Sequence, residues 1–213
     1  MESTGYKEAR TTSRKRGMMK QLFAITPDNL PMDATLEIMS EIAPIVDFIQ
    51  VREKSLSPLE QDQLIETALL NGIPPQKLII NDRIDLALLH GLNHVHLTER
   101  SIPLQRAQIG FPALSFSRSV HSLTQIMAHH LHASYLQIGH IFPTALKNYP
   151  PFGLENLKKA SAIADNLVAV GGIDHTTLLK VRPYVMGVAV MSALFEHANP
   201  ASYAQTLISL LND

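Results

Sequence analysis

A chain of 213 residues, 46% hydrophobic and 17% charged, suits one globular domain with a substantial core and leaves little material for a second. It contains no cysteine, which excludes disulfides, thiolate metal sites and a cysteine nucleophile. No apolar run approaches the length of a membrane span, and a net charge of −1 gives no general pull toward nucleic acid or a membrane surface.

The first twenty residues set Lys7, Arg10, Arg14, Lys15, Arg16 and Lys20 against only Glu2 and Glu8, so the remainder is net acidic. This head lacks hydrophobic periodicity and the apolar core of a secretion signal. Residues 1–19 are therefore expected to form a disordered basic tail, residues 20–213 the folded domain, and the cytoplasm is the expected compartment.

Leu22-Phe23-Ala24-Ile25 reads as a short strand ended by Thr26-Pro27-Asp28, and a helix follows from about Asp33 to Pro44. Phe48 to Val51 forms the second strand. Ser57-Pro58-Leu59-Glu60 then combines a capping box with proline at the first helical position, and Asn71-Gly72 is a good stop. Leu78 to Ile80 delivers Asn81-Asp82 before a helix through Leu86 and Leu89, and Val95 to Leu97 precedes a short helix around Leu104 to Ile109. The fifth strand, Leu114 to Ser117, hands over at Arg118-Ser119-Val120-His121-Ser122 to a helix whose Ser122 and Gln125 have capping-box spacing. Tyr135 to Ile138, Leu167 to Val170 and Gly187 to Val190 are strands six to eight. A helix from about Leu154 to Ala164 separates the first two of these; Asp174 is placed to cap the next helix and Asn199-Pro200 to open the last.

Eight strand-then-helix units with short connections and no composition break predict a parallel sheet closed into a single (β/α)8 TIM barrel, an α/β fold. In that architecture the C-terminal ends of all strands share one face, where active sites are built. Gathered there are Arg52 and Lys54, Asn81 and Asp82, Ser119 and His121, Thr144 and Lys147, Gly171-Gly172, and Met191-Ser192. Glycines after strand seven and a short helix start after strand eight fit a phosphate pocket made by Gly171, Gly172, Met191 and Ser192. Arg52, Lys54 and Lys147 point to an anionic substrate, with Asn81, Ser119 and Thr144 beside it.

His121 sits just outside a helix's first turn, where the dipole disfavours a protonated imidazole and leaves a neutral base near pH 7; a purely structural bond to a loop is the alternative. His94-x-His96 places two imidazoles on one face of a strand, without an assured carboxylate for zinc. Asp82 alone is thin support for a dedicated Mg²⁺ site. The expectation is no metal and no cofactor. No helix presents a basic recognition face, so neither nucleic acid nor membrane is an expected partner, and self-association is left open.

The stretches FIQVREKSLS, LIINDRIDLAL, HVHL, SRSVHSL, YLQIGHIFPTALK, VAVGGI and GVAVMSALF, in this order, resemble the thiamine phosphate synthase/TenI superfamily. The resemblance implies two competing activities. Synthases couple a pyrimidine pyrophosphate to a thiazole phosphate with Mg²⁺, and resemble HLGQ-x-D after strand four and PTxTK after strand six. This chain has Ser101 at the Asp position and Pro143-Thr144-Ala145-Leu146-Lys147 at the second motif. The TenI branch is similar in SVHSL, in the Gly139-His140 pair and in Val190-Met191-Ser192. It implies a thiazole tautomerase, an isomerase that aromatises a carboxythiazole phosphate in thiamine biosynthesis, with His121 as acid and base and no cofactor. On these motifs the expected function is the tautomerase. Ser119 is then expected to orient His121, with Arg52, Lys54 or Lys147 meeting the substrate carboxylate. The alternatives are the Mg²⁺-dependent synthase and a non-catalytic regulatory protein.

Overall fold

A computed structural model describes residues 19–144 and 147–213; most of the expected basic tail lies outside the described residues. Eight strands, β1 (Gln21–Ile25), β2 (Phe48–Val51), β3 (Leu78–Asn81), β4 (His94–Leu97), β5 (Ser115–Val120), β6 (Leu136–Gly139), β7 (Leu167–Val170) and β8 (Gly187–Val190), pair in chain order. All pairs are parallel, and β8 returns to β1 through Leu22↔Val188 and Ala24↔Val190, so the cylinder closes. The expected barrel is the observed one.

The helices pack outside it: α1 (Met32–Ile42), α2 (Pro58–Leu70), α3 (Ile84–Leu89), α4 (Leu104–Gly110), α5 (Leu123–His129), α6 (Leu154–Ser161), α7 (Leu178–Val181), α8 (Ser192–Phe195) and α9 (Pro200–Asn212). Local chemistry sets several starts. Ser57 Oγ accepts from Glu60 N while Glu60 returns a carboxylate to Ser57 N, the complete capping box read from the sequence. Asn199 caps α9 through Ser202 N. Asp174 does not cap α7; its carboxylate folds a turn on Thr176 and Thr177 ahead of that helix. Nor is the Ser122 box complete. Ser122 Oγ accepts from Gln125 N, but the Gln125 carbonyl is taken by His121 N.

Two apolar cores follow from the alternation of the strands. Leu22, Ala24, Ile49, Leu78, Ile80, Val95, Leu97 and Val188 face outward into the layer under the helices. Phe23, Ile25, Ile79, Tyr135, Val168 and Ala189 form a separate cluster, with Phe48 and Met186 against it. Phe23 stacks on Phe48 at 5.0 Å and packs on Tyr135 at 4.9 Å, and His94 meets the Tyr135 ring edge-on. This aromatic plug fills the barrel toward the starts of its strands.

The fifth strand is longer than expected and runs through Val120. Arg118 and Ser119 read as a corner because polar residues usually end a buried parallel strand. Here Ser117 and Ser119 hydroxyls bond a neighbouring strand's imidazole inside the barrel, so the strand continues.

Candidate active site

Above the plug, the next interior positions turn polar. Gln50 Nε2 donates to Asn81 Oδ1 at 3.0 Å, and Gln137 Nε2 donates to Gln50 Oε1 at 3.1 Å. On the strands between Asn81 and Gln137, His96 Nδ1 lies 2.9 Å from Ser117 Oγ and its Nε2 lies 2.8 Å from Ser119 Oγ. A neutral imidazole has one donor and one acceptor, and two hydroxyls satisfy both. Burial, with His94, Arg118 and Lys54 adding to it, pushes the His96 pKa down to about 3, so the ring is uncharged. His94 is held at about 4 by burial alone. These rings are hydrogen-bonded interior residues rather than a zinc pair.

Gln50, Gln137 and His96 were absent from the expected site. Their signal is a polar residue at the third position of FIQV and HVHL and the second of LQIG, in strands where a buried parallel sheet favours apolar side chains.

On the rim above this layer, a cavity of about 270 Å³ is lined by Glu53, Lys54, Asn81, Asp82, Thr98 and Arg100, among others. Burial and the Arg52 guanidinium lower the Lys54 pKa, Asp82 and Asp28 oppose them, and Lys147 lowers it further. Three of the expected cations, from β2 and the β6 loop, therefore share one field. Lys147 also sits 5.6 Å from the Tyr149 ring centre. The ion pairs formed among the described residues are Arg83–Asp85, His90–Asp62 and Lys158–Glu155, none of which uses these cations.

The rim carboxylates are engaged with protein donors. Asp82, at φ 62°, accepts from Ser101 Oγ, from Asn81 Nδ2 at 3.0 Å and from Thr98 Oγ1 at 3.3 Å. Asp28 holds Ser55, Glu99 accepts from Gln125, and Glu53 accepts from Asp28 N. Burial raises the Glu53 pKa against the lowering effect of its Thr26 hydrogen bond. Among the described residues no three His, Cys, Asp or Glu side chains converge as a metal-binding group. The Mg²⁺ implied by the synthase resemblance would find one carboxylate, Asp82, whose oxygens already accept from hydroxyl and amide donors. The donor set does not fit a dedicated metal site.

Gly171 and Gly172 sit side by side at the end of β7 with φ 89° and 68°. A Cβ on Gly171 would collide with His140, and one on Gly172 would lie 2.7 Å from Phe142 Cβ. The neighbouring β8, paired with β7 as far as Val170↔Ala189, leads into Met191 and Ser192, with Ser192 opening α8. Thr144 is half-buried on the β6 loop, two residues after Phe142.

His121 is placed differently from the expectation. Its ring is exposed, with Nδ1 2.6 Å from the Gly139 carbonyl, and it lines a second cleft of about 460 Å³ with Tyr149, Pro151, Phe152 and Asn156. Ser119 does not orient it, because that hydroxyl is bonded to His96. Ser119 belongs to the interior layer and His121 to the outer cleft.

The fold and its rim define a small (β/α)8 barrel that gathers cations and a glycine pair at one mouth. Residues 22–194 match the family model described as thiamine monophosphate synthase, and the chain belongs to that family, TMP-TENI. It is 33% identical over 191 residues to the thiamine-phosphate synthase of Desulfitobacterium hafniense (strain DSM 10664 / DCB-2), covering 84% of this chain and 90% of that one. It is 40% identical over 139 residues to the thiamine-phosphate synthase of Synechococcus sp. (strain WH7803), a match covering 62% of this chain and only 39% of that longer relative. Among solved structures, thiamine phosphate pyrophosphorylase from Pyrococcus furiosus shares the fold with a TM-score of 0.72 at 24% identity, over 91% of this chain and 96% of that one.

These relatives overturn the expected isomerase. They are named for thiamine-phosphate synthase, a transferase, and not for a thiazole tautomerase. The motifs that favoured the tautomerase, SVHSL and Gly139-His140, sit on the β5 and β6 connections, whereas the likeness to synthases extends over most of the chain. No helix of the described residues is long and apolar enough to cross a membrane.

Proposed function

We propose that this chain is a thiamine-phosphate synthase, joining a pyrimidine pyrophosphate to a thiazole phosphate. A carbon of the pyrimidine component exchanges its bond to a pyrophosphate oxygen for a bond to the thiazole nitrogen, and pyrophosphate leaves. No proton moves in that exchange, so it asks for no general base. It asks for charge balance on the leaving group and for fixed orientation of two rings.

The observation that carries this reading is the likeness to the Desulfitobacterium hafniense synthase over 90% of that protein's length. The rim is consistent with it. Arg52, Lys54 and Lys147 are the groups proposed to meet pyrophosphate. Gly171, Gly172, Met191 and Ser192 are proposed to receive the thiazole phosphate, through backbone N–H groups that the glycines leave uncovered. The uncharged amides of Gln50, Asn81 and Gln137, with His96 and Ser119 on the adjacent strands, suit the hydrogen-bonding edge of a neutral heterocycle. Thr144 is proposed to contribute a hydroxyl from the β6 loop.

The test is direct. Purified protein given both substrates should release pyrophosphate and form thiamine phosphate in equal amounts, and Lys54→Ala should reduce kcat/KM at least tenfold. Release of neither product with both substrates at saturation would dismiss the reading.

A further inference from the structure

We infer that this chain neutralises pyrophosphate with its own side-chain cations and holds no resident divalent-metal site. The inference rests on the reading above that a pyrophosphate group is bound at this mouth.

A Mg²⁺ ion in a phosphate-transfer site is held by one or two carboxylates together with substrate oxygens, and it needs their lone pairs free. The carboxylate available here is Asp82, and its oxygens receive Ser101 Oγ, Thr98 Oγ1 and Asn81 Nδ2. Thr98 N adds a longer contact at 3.4 Å. A hydroxyl at position 101 changes the site twice over. It removes a negative charge, and its proton occupies the oxygen of Asp82 that a cation would use. Ser101 is itself fixed, because Thr98 N donates to its oxygen at 2.5 Å and its hydroxyl lies 3.0 Å from Thr98 Oγ1. Glu99 points to Gln125, Asp28 to Ser55 and Glu53 to the Asp28 N–H, so none of these replaces the missing ligand.

The cations present the opposite picture. Arg52 and Lys147 both act on Lys54, and Lys54 shares its cavity with Arg100. Asp82 and Asp28 offset part of this mutual repulsion, and an anion joining the three cations would relieve the rest, so the rim is prepared for a polyanion before any metal arrives. Arginine and lysine together offer both a planar fork and a point charge to phosphate oxygens.

The experiment uses the full-length protein and inorganic pyrophosphate as probe. Calorimetric titration is run in EDTA and in excess Mg²⁺, and Mn²⁺ binding is followed in parallel by electron paramagnetic resonance. The wild type should bind pyrophosphate with affinities within about threefold in the two conditions, less than 1 kcal/mol apart. It should bind Mn²⁺ weakly, whereas Ser101→Asp should bind Mn²⁺ at least tenfold more tightly, through two carboxylates. Lys54→Ala should weaken pyrophosphate at least tenfold in EDTA, a result that does not depend on the Ser101 variant folding. A wild type whose pyrophosphate affinity rises tenfold or more with Mg²⁺, or that binds Mn²⁺ as tightly as Ser101→Asp, would overturn the inference. Metal-independent pyrophosphate binding without thiamine phosphate formation would instead remove the synthase reading and leave this inference standing.

Discussion

The two ends of the barrel interior are built from different chemistry on the same strands. Toward the strand starts, Phe23, Phe48, Tyr135 and His94 pack ring against ring. One inward position further along, β2, β4 and β6 present Gln50, His96 and Gln137, joined by hydrogen bonds to Asn81, Ser117 and Ser119. The strand period of two carries each strand from plug to polar layer in a single step. The lower half therefore supplies cohesion that needs no partner. The upper half offers donors and acceptors that a ligand can share, and its burial is offset by the hydrogen bonds these groups make to one another.

If that division holds, substitutions at the two ends should separate stability from ligand binding. The largest stability loss is expected for Phe23→Ala, which empties the centre of the plug. A loss of about 3–5 kcal/mol should appear in urea denaturation, with pyrophosphate affinity of the remaining folded protein unchanged. Weakened pyrophosphate binding in proportion to the stability loss would show that the halves are not independent.

Acid should act nearly as strongly. His94 and His96 have folded pKa values of about 4 and about 3, below the ordinary 6.5. The unfolded chain therefore binds more protons as pH falls below 6.5, and stability declines toward those folded values. Each ring contributes up to about 1.4 kcal/mol per pH unit in that window. Denaturation midpoints measured between pH 7.5 and 5 should fall, and His96→Gln should flatten the slope.

Gly171→Ala lies at the rim. The φ of 89° and the contact with His140 both oppose a side chain there. A cost of about 1–3 kcal/mol is expected, together with a loss of affinity for a thiazole phosphate greater than that for pyrophosphate. The smallest effect belongs to Ser119→Ala, which removes one of two partners from the His96 ring. A thermal shift corresponding to about 1 kcal/mol is expected, with His121 unaffected because it bonds Gly139 instead.

The barrel was readable because each strand is a short apolar run punctuated by turn chemistry, as Leu22 to Ile25 before Thr26-Pro27 illustrates. The rim residues were readable for the same reason: the ends of parallel strands must share a face. What sequence could not convey was direction and company within a few ångströms. Ser119 and His121 are two residues apart and share a face in an extended strand, yet the strand ends between them and their bonds diverge to His96 and Gly139. Gln50 and Gln137 lie 87 positions apart, and only the closed cylinder makes them partners. The tautomerase expectation failed where a few local motifs outweighed likeness spread over most of the chain.

Asn212, the last residue of α9, meets Lys20 at the threshold of β1: Lys20 N donates to Asn212 Oδ1 at 2.7 Å and Asn212 Nδ2 returns a bond to Lys20 O. The folded domain thus buckles shut on the side away from its mouth. With β8 already paired to β1, the eight units form a cycle whose starting point geometry does not mark. A backbone spliced across that buckle and opened at another helix-to-strand junction would trace the same cylinder in a rotated order.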